Sequence, residues 1–255
     1  MSRSPPPDLW HRFAGLTPAR IALGRAGSGL PTRALLDFDV ARALARDAVH
    51  QAVDFAALAA RWSAAGGGAP VQVASRAPDR VTYLQRPDLG RRLDPASAAV
   101  LGAVGGPWDL ALVVADGLSA PAVERHALAV IHALLPALEG WRVAPLVLAR
   151  QGRVALGDEI GAGLGAALVL VLVGERPGLT APDSLGAYLT YGPRVGRQDA
   201  ERNCVANIHG GGLTPAAAAG RLAWLIAAAR TRGLTGVALR DESPSLPAAE
   251  GGVLP

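Results

Sequence analysis

The feature that most constrains the fold is a set of apolar runs without regular alternation between apolar and polar residues. The longest is AALVLVLVGE at residues 166–175. Because a strand with one face in water alternates apolar and polar side chains, such runs predict strands buried on both faces. Helical or loop stretches separate them, which is typical of an α/β protein. The other strand-like runs are VQVAS (71–75), DLALVVAD (109–116), RVAPLVLA (142–149) and AYLTY (187–191).

Helices are predicted from apolar periodicity and from end signals. Ser119 is a candidate N-cap, and the stretch AVERHALAVIHALL after it runs to Pro136, which completes a strand–helix–strand unit. Another helix from Pro215 to about Arg232 is expected to end at Gly233, a candidate C′ glycine. We therefore expect a Rossmann-like, mostly parallel sheet with flanking helices.

The composition changes along the chain in a way that predicts separate segments. Apolar residues recur at helical spacing after Thr32, a second short helix is predicted over 53–62, and GGGAP at 66–70 has the composition of a linker. The N-terminal residues have no apolar core typical of a secretory signal, which predicts a cytoplasmic protein. The predicted segments are a flexible lead (1–15), a small N-terminal helical segment (16–65), an α/β domain (70–242) and a disordered tail (243–255).

The composition also excludes several chemistries. All 25 basic residues are arginine, so the chain offers no lysine for a Schiff base or for a Walker A phosphate loop. Cys204 is the only cysteine, which excludes internal disulfides and CxxC sites. Interspersed carboxylates and an aromatic content of 4% argue against a nucleic-acid partner. No apolar run approaches the roughly 20 residues that span a bilayer, so we expect no membrane association.

Two of the predicted strands end in polar residues. Asp116 and Gly117 follow one strand, and Glu175 lies in the run from Gly174 to Gly178 after another. In open α/β sheets ligands bind beyond the carboxyl ends of the strands, where a carboxylate can accept hydrogen bonds and glycine allows close approach. The alternative is a plain turn whose Arg and Glu side chains face water.

Several short motifs point elsewhere but lack the required context. GAGLGA at 161–166 resembles a dinucleotide fingerprint, yet its glycines end a helical stretch and lead into a strand, so we interpret them as close packing. The five histidines include no pair at helical i, i+4 spacing, so we predict no metal site. NIHGGG at 207–212 echoes the motif by which some corrinoid proteins bind cobalt, but Asn207 replaces the aspartate that would orient and charge the imidazole of His209.

Long segments of the chain, spanning about residues 17–215, resemble the small subunit of adenosylcobalamin-dependent ethanolamine ammonia-lyase, and they do so in the same order. Sequence segments as long as LVGERPG and CVANIHGGG seldom occur in unrelated proteins by chance. The matching segments are ARIALGRAGSGLPTRALLDF, VTYLQRPDLGRRL, VVADGLSAPAV, GRVALGDEIGAGLGAALVLVLVGERPGL and YGPRVGRQDAERNCVANIHGGG.

This resemblance implies a role in ethanolamine catabolism, in which ethanolamine is converted to acetaldehyde and ammonia by radical chemistry. It implies a hetero-oligomer with several copies of each subunit, in which a large subunit binds the substrate and the small subunit covers adenosylcobalamin. The matching cofactor contacts are Val154, Glu175 and Cys204. The family's cofactor keeps its own lower ligand, so His209 should not bind cobalt, and no catalytic residue is expected here. A bacterial microcompartment is a second possible location.

Two other functions stay open at this level. A nucleotide-binding oxidoreductase would need a fingerprint in the correct context, which 161–166 does not have. A free-standing corrinoid carrier would act without a large subunit, so association with such a partner would separate it from the lyase subunit.

Overall fold

The structure is a computed structural model that describes residues 10–17 and 19–244. The strands are β1 (Val71–Ala74), β2 (Trp108–Ala115), β3 (Val147–Arg150), β4 (Ala166–Gly174), β5 (Leu185–Tyr191) and β6 (Asn203–Ile208). The helices are α1 (Trp10–Ala14), α2 (Thr32–His50), α3 (Phe55–Ala64), α4 (Arg80–Gln85), α5 (Pro95–Val104), α6 (Ala120–Ala122), α7 (Leu128–Leu134), α8 (Leu156–Leu164) and α9 (Pro215–Arg232). A π-helical turn, Val123–Ala127, joins α6 to α7.

The six strands form one mixed sheet in the order β1-β3-β2-β4-β5-β6. The first four strands of this order are parallel, whereas β5 is antiparallel to β4 and β6 is antiparallel to β5. The α/β class is confirmed, but the expected Rossmann-like, mostly parallel sheet is not. Residues 175–184 between β4 and β5 contain no helix, and a parallel neighbour needs a crossover of about a dozen residues or more.

The central strands are buried on both faces, as their uninterrupted apolar sequences predict. Along β2, Leu110, Leu112 and Val114 pack toward one face, and Ala111 and Val113 pack toward the other. The first face is covered by α7 and α9, and the second by α5 and α8. Each of these five residues is at most 1% exposed, so the helices cover both faces of β2 from Leu110 onward.

Most predicted elements are present, with differences at their ends. Ser119 caps α6 by accepting a hydrogen bond from the backbone of Ala122, and α9 ends at Gly233 in the left-handed conformation. The strand β3 begins only at Val147, after Pro145, and the sequence pattern did not predict β6 at all. Its residues NCVANI are mixed in polarity because it is an edge strand, with one neighbour, β5.

One glycine of GAGLGA, Gly161, packs closely, as interpreted from the sequence, whereas Gly165 has no close neighbour. A Cβ atom at Gly161, within α8, would lie 2.6 Å from the Pro193 side chain, and Gly165 ends the helix with a positive φ before β4 begins. The fingerprint's strand-to-helix context is therefore reversed.

The N-terminal segment contains α2 and α3, close to where helices were predicted. The predictions for residues 1–9 and 245–255 lie outside the described residues. Among the described helices, none has the length and apolar character to cross a membrane.

Candidate functional site

The carboxyl ends of β2, β3 and β4 meet at one edge of the sheet, where their following loops enclose a cavity of about 220 Å³. The strand β6 runs in the same direction as β4, so its end reaches this edge as well. Two of the predicted contacts, Val154 and Glu175, line this cavity. The other lining residues are Tyr83, Gly117, Leu118, Arg153, Val173, Gly174, Arg176 and Tyr188.

Glu175 directly follows β4 and is held by two donors on one of its oxygens. Its Oε2 accepts from Ser184 Oγ at 2.6 Å and from the backbone N–H of Asn207 at 3.1 Å. No donor in residues 10–17 and 19–244 contacts Oε1, and Glu175 forms no ion pair with Arg176 there. The half-buried carboxylate is therefore oriented through one oxygen while the other stays available to a ligand.

Val154 lies in the loop between β3 and α8 and separates two cavities. It lines the smaller cavity beside Glu175 and also a larger cleft of about 730 Å³, which is bordered by arginine and carboxylate side chains. The residue is half-buried. Because its side chain is apolar, Val154 can offer a ligand an apolar contact. Any polar contact would come from its backbone.

Cys204 lies on β6 opposite Tyr188 of β5, outside the residues that line the two cavities. It is solvent-exposed, yet the atoms around its sulfur bury it enough to raise the pKa of the thiol, and the charge of Glu175 raises this pKa further. A hydrogen bond with Tyr188 acts in the opposite direction. The thiol is thus neutral at pH 7, which favours a packing contact over a nucleophile.

Asp116 directly follows β2, and its carboxylate is occupied by hydrogen bonds within the protein. It accepts hydrogen bonds from the backbone N–H groups of Gln151 at 2.8 Å, Gly152 at 2.9 Å and Gly117 at 3.0 Å, and Arg80 lies 3.8 Å away. Burial raises the pKa of Asp116, although the backbone hydrogen bonds and the charge of Arg80 act to lower it. Of the two polar strand ends, Glu175 therefore lines the cavity and keeps one oxygen without a donor among the described residues, whereas Asp116 fixes the loop that leads to Val154.

The glycines at the strand ends allow the backbone segments to pack against each other. Gly117 has φ +58°, and a Cβ atom there would lie 2.3 Å from the carbonyl oxygen of Gly174. A Cβ atom at Gly174 would lie 2.3 Å from the carbonyl oxygen of Ser119. Side chains at either position would push the loops around Glu175 apart.

A buried ion pair lies behind the larger cleft and joins β6 to α8. Arg202 donates to both carboxylate oxygens of Asp158 at 2.7 Å, and to Thr190 Oγ1 at 2.9 Å. The side chains of Arg202 and Asp158 are only 2% and 3% exposed. Since Arg202 precedes β6 by one residue, this pair fixes the start of the strand that carries Cys204.

Several residues that the sequence reasoning did not single out belong to this site. Tyr83, Arg153 and Tyr188 line the smaller cavity, and Ser184 orients Glu175. Arg153 directly precedes Val154, and Tyr83 falls in VTYLQRPDLGRRL. Their position inside segments of family resemblance was the signal that could have identified them.

The loop NIHGGG does not gather metal ligands. The imidazole of His209 accepts from the backbone N–H of Gly211 at Nδ1, at 3.1 Å, so its Nε2 donates to Asn207 Oδ1, at 2.8 Å. Asn207 has a positive φ of 62°. Both ring nitrogens thus serve the loop itself, and no group of three or more His, Cys, Asp and Glu residues is placed to bind a metal within the described part of the chain.

The chain is similar to known proteins over nearly its whole length. A family model described as ethanolamine ammonia-lyase light chain (EutC) matches residues 7–240. Proteins named ethanolamine ammonia-lyase small subunit are similar to it in Xanthomonas campestris pv. campestris (strain ATCC 33913), with 56% identity covering 94% of this chain and 90% of that protein; in Rhodopseudomonas palustris (strain BisA53), with 57% identity covering 89% and 88%; and in Pseudomonas syringae pv. tomato (strain DC3000), with 52% identity covering 93% and 85%.

Proposed function

Because the chain belongs to the family of ethanolamine ammonia-lyase light chains, we propose that it acts with a large subunit to hold adenosylcobalamin and convert ethanolamine to acetaldehyde and ammonia. The family membership supports a lyase, and the words "small subunit" in the relatives' names support a larger partner. The observation that carries the cofactor role is the meeting of Val154 and Glu175 in one cavity at the carboxyl edge of the sheet.

The residues at this edge fit a corrinoid. The periphery of the corrin ring carries carboxamides, which need both hydrogen-bond acceptors and donors. Glu175 Oε1 is an acceptor without a donor among the described residues, and Arg153 lines the same cavity with a guanidinium group whose donors are only partly used. Val154 adds an apolar wall between the two cavities, and Cys204 adds a neutral, polarisable sulfur on the neighbouring strand.

When bound, adenosylcobalamin supplies the radical that starts the reaction, through cleavage of its cobalt–carbon bond. This chain positions the cofactor: Glu175 accepts hydrogen bonds from the cofactor's edge, and Val154 packs against it. No residue of this chain transfers a proton to the substrate, because the substrate site lies on the large subunit. The proposed assembly contains several copies of both subunits and works in ethanolamine catabolism, in the cytoplasm or in a bacterial microcompartment.

Reconstitution tests this proposal. Ammonia release from ethanolamine is measured with the small chain alone, the large subunit alone and the two together, each with and without adenosylcobalamin. We expect turnover only when both subunits and the cofactor are present. Turnover by this chain alone would refute the proposal that the large subunit binds the substrate. Full turnover by the large subunit alone would refute any need for this chain and would leave the free-standing carrier as the better explanation.

A further inference from the structure

Arg153 lies in the wall between the two cavities at the sheet edge. It lines the smaller cavity with Glu175 and the larger cleft with Asp158 and Glu159. It is half-buried and directly precedes Val154. A ligand that occupies either cavity would therefore lie next to Arg153.

The guanidinium is held in place by contacts that leave part of it unused. Its Cζ lies 4.6 Å from the centre of the Tyr83 ring, and its Nη2 donates to the carbonyl oxygen of Tyr83 at 3.1 Å. The Tyr83 ring is fixed in turn, because its hydroxyl donates to the carbonyl oxygen of Gly152 at 3.1 Å and the guanidinium of Arg80 lies 4.9 Å from its centre. The backbone N–H of Arg153 donates to Gly90 at 2.9 Å.

Arg153 nevertheless lacks the acceptors that a half-buried guanidinium normally finds. Its Nε is buried without a hydrogen-bond partner, and no acceptor or carboxylate among residues 10–17 and 19–244 contacts Nη1. Arg80 and Arg202 also have one buried nitrogen without a hydrogen-bond partner, but each lies within 4 Å of a carboxylate, Asp116 for Arg80 and Asp158 for Arg202. Arg153 has no such carboxylate among the described residues. Partly desolvated charged donors are costly when they have no acceptor, and a rigid, oriented guanidinium binds oxygen acceptors with little loss of conformational entropy.

From these contacts we infer that Arg153 is a further corrinoid-binding residue, which donates from Nη1 to an oxygen of the bound cofactor. The inference rests on the proposed function. Two groups of a cobalamin offer such an oxygen: the carbonyl of a corrin carboxamide and the phosphodiester of the nucleotide loop. Glu175 and Arg153 then provide one acceptor and one donor to the same molecule, on either side of Val154.

The test uses the two-subunit complex and measures affinity rather than turnover. Cyanocobalamin is titrated by its absorbance change into complexes that carry the parent chain, Arg153→Gln or Arg153→Lys. We expect Arg153→Gln to weaken binding by roughly ten- to 150-fold, the range for loss of a hydrogen bond to a charged group. Arg153→Lys keeps the charge and the aliphatic stem beside Tyr83, so it should assemble normally and recover part of the affinity.

A second probe identifies the oxygen. Dicyanocobinamide lacks the nucleotide loop and its phosphodiester. If Arg153→Gln weakens cyanocobalamin but not cobinamide, the phosphodiester is the partner; if both weaken equally, a carboxamide is the partner. Arg221→Gln is the charge-matched control, because Arg221 is an exposed residue of α9 that lines neither cavity. The Arg221→Gln complex should bind cyanocobalamin as tightly as the parent complex.

The result that overturns the inference is an Arg153→Gln complex that assembles with the large subunit and binds cyanocobalamin as tightly as the parent. An equal loss of affinity in Arg221→Gln would also overturn it, because the effect would then be one of general charge. Failure of the parent complex itself to bind either corrinoid would instead refute the proposed function.

Discussion

The most direct test of the site is the change Glu175→Gln, which keeps the shape of the side chain and removes its charge. In the structure Oε2 accepts from Ser184 and Asn207, while Oε1 has no donor among the described residues, and Glu175 lines the cavity. A glutamine can keep its single carbonyl oxygen toward Ser184 and Asn207. Its NH2 group then replaces Oε1, so the cofactor meets a donor where it had an acceptor.

The expected magnitude follows from this replacement. A hydrogen bond to a charged acceptor is worth about 1.5–3 kcal/mol, which corresponds to roughly ten- to 150-fold in affinity. We therefore expect the dissociation constant of cobalamin to rise within that range, measured by absorbance titration of the two-subunit complex. The thermal midpoint should change little, since the internal hydrogen bonds are retained. Turnover at saturating cofactor should fall much less than affinity, because in the proposed function Glu175 holds the cofactor and transfers no proton.

Two controls make the result specific. Glu139→Gln removes an equal charge from an exposed glutamate outside both cavities and should leave affinity unchanged. Ser184→Ala removes the donor that orients Oε2 but keeps the charge, so a smaller loss is expected. Unchanged affinity in Glu175→Gln would remove the carboxylate from the site. Unchanged affinity with a collapsed maximal rate would refute the reasoning differently, by pointing to a chemical role for Glu175.

Two further predictions concern neighbouring residues. Cobalamin should slow alkylation of Cys204, which peptide mass spectrometry of the complex measures. Without cofactor, the alkylation rate should rise at a higher pH than it does for an ordinary thiol, because the pKa of Cys204 is raised. Equal rates with and without cobalamin would place Cys204 outside the covered surface. Arg202→Ala should lower the free energy of unfolding by about 3–5 kcal/mol, because it leaves the Asp158 carboxylate buried and unpaired. Chemical denaturation measures this loss, and a change below about 1 kcal/mol, the size typical of an exposed ion pair, would contradict it.

The local features of the fold could be predicted from the sequence because they depend on nearby residues. The apolar runs of β2 and β4 indicated strands buried on both faces, and Ser119 and Gly233 indicated helix ends. These predictions hold because burial pattern, capping and backbone conformation act within a few residues of the chain. The strand β6 was missed because its mixed polarity at the edge of the sheet produces no such pattern.

The family could also be identified from the amino-acid sequence, through long matching segments, and the resemblance pointed to Val154, Glu175 and Cys204 as a set. Two features became apparent only in the folded chain: the sheet turns antiparallel after β4, and Asp116 is engaged internally while Glu175 keeps an oxygen without a donor. Folding also places Tyr83 against Arg153, which is distant in the chain. The reason is physical: strand direction and hydrogen-bond partners depend on which distant segments pack together, and no local pattern of residues records that choice.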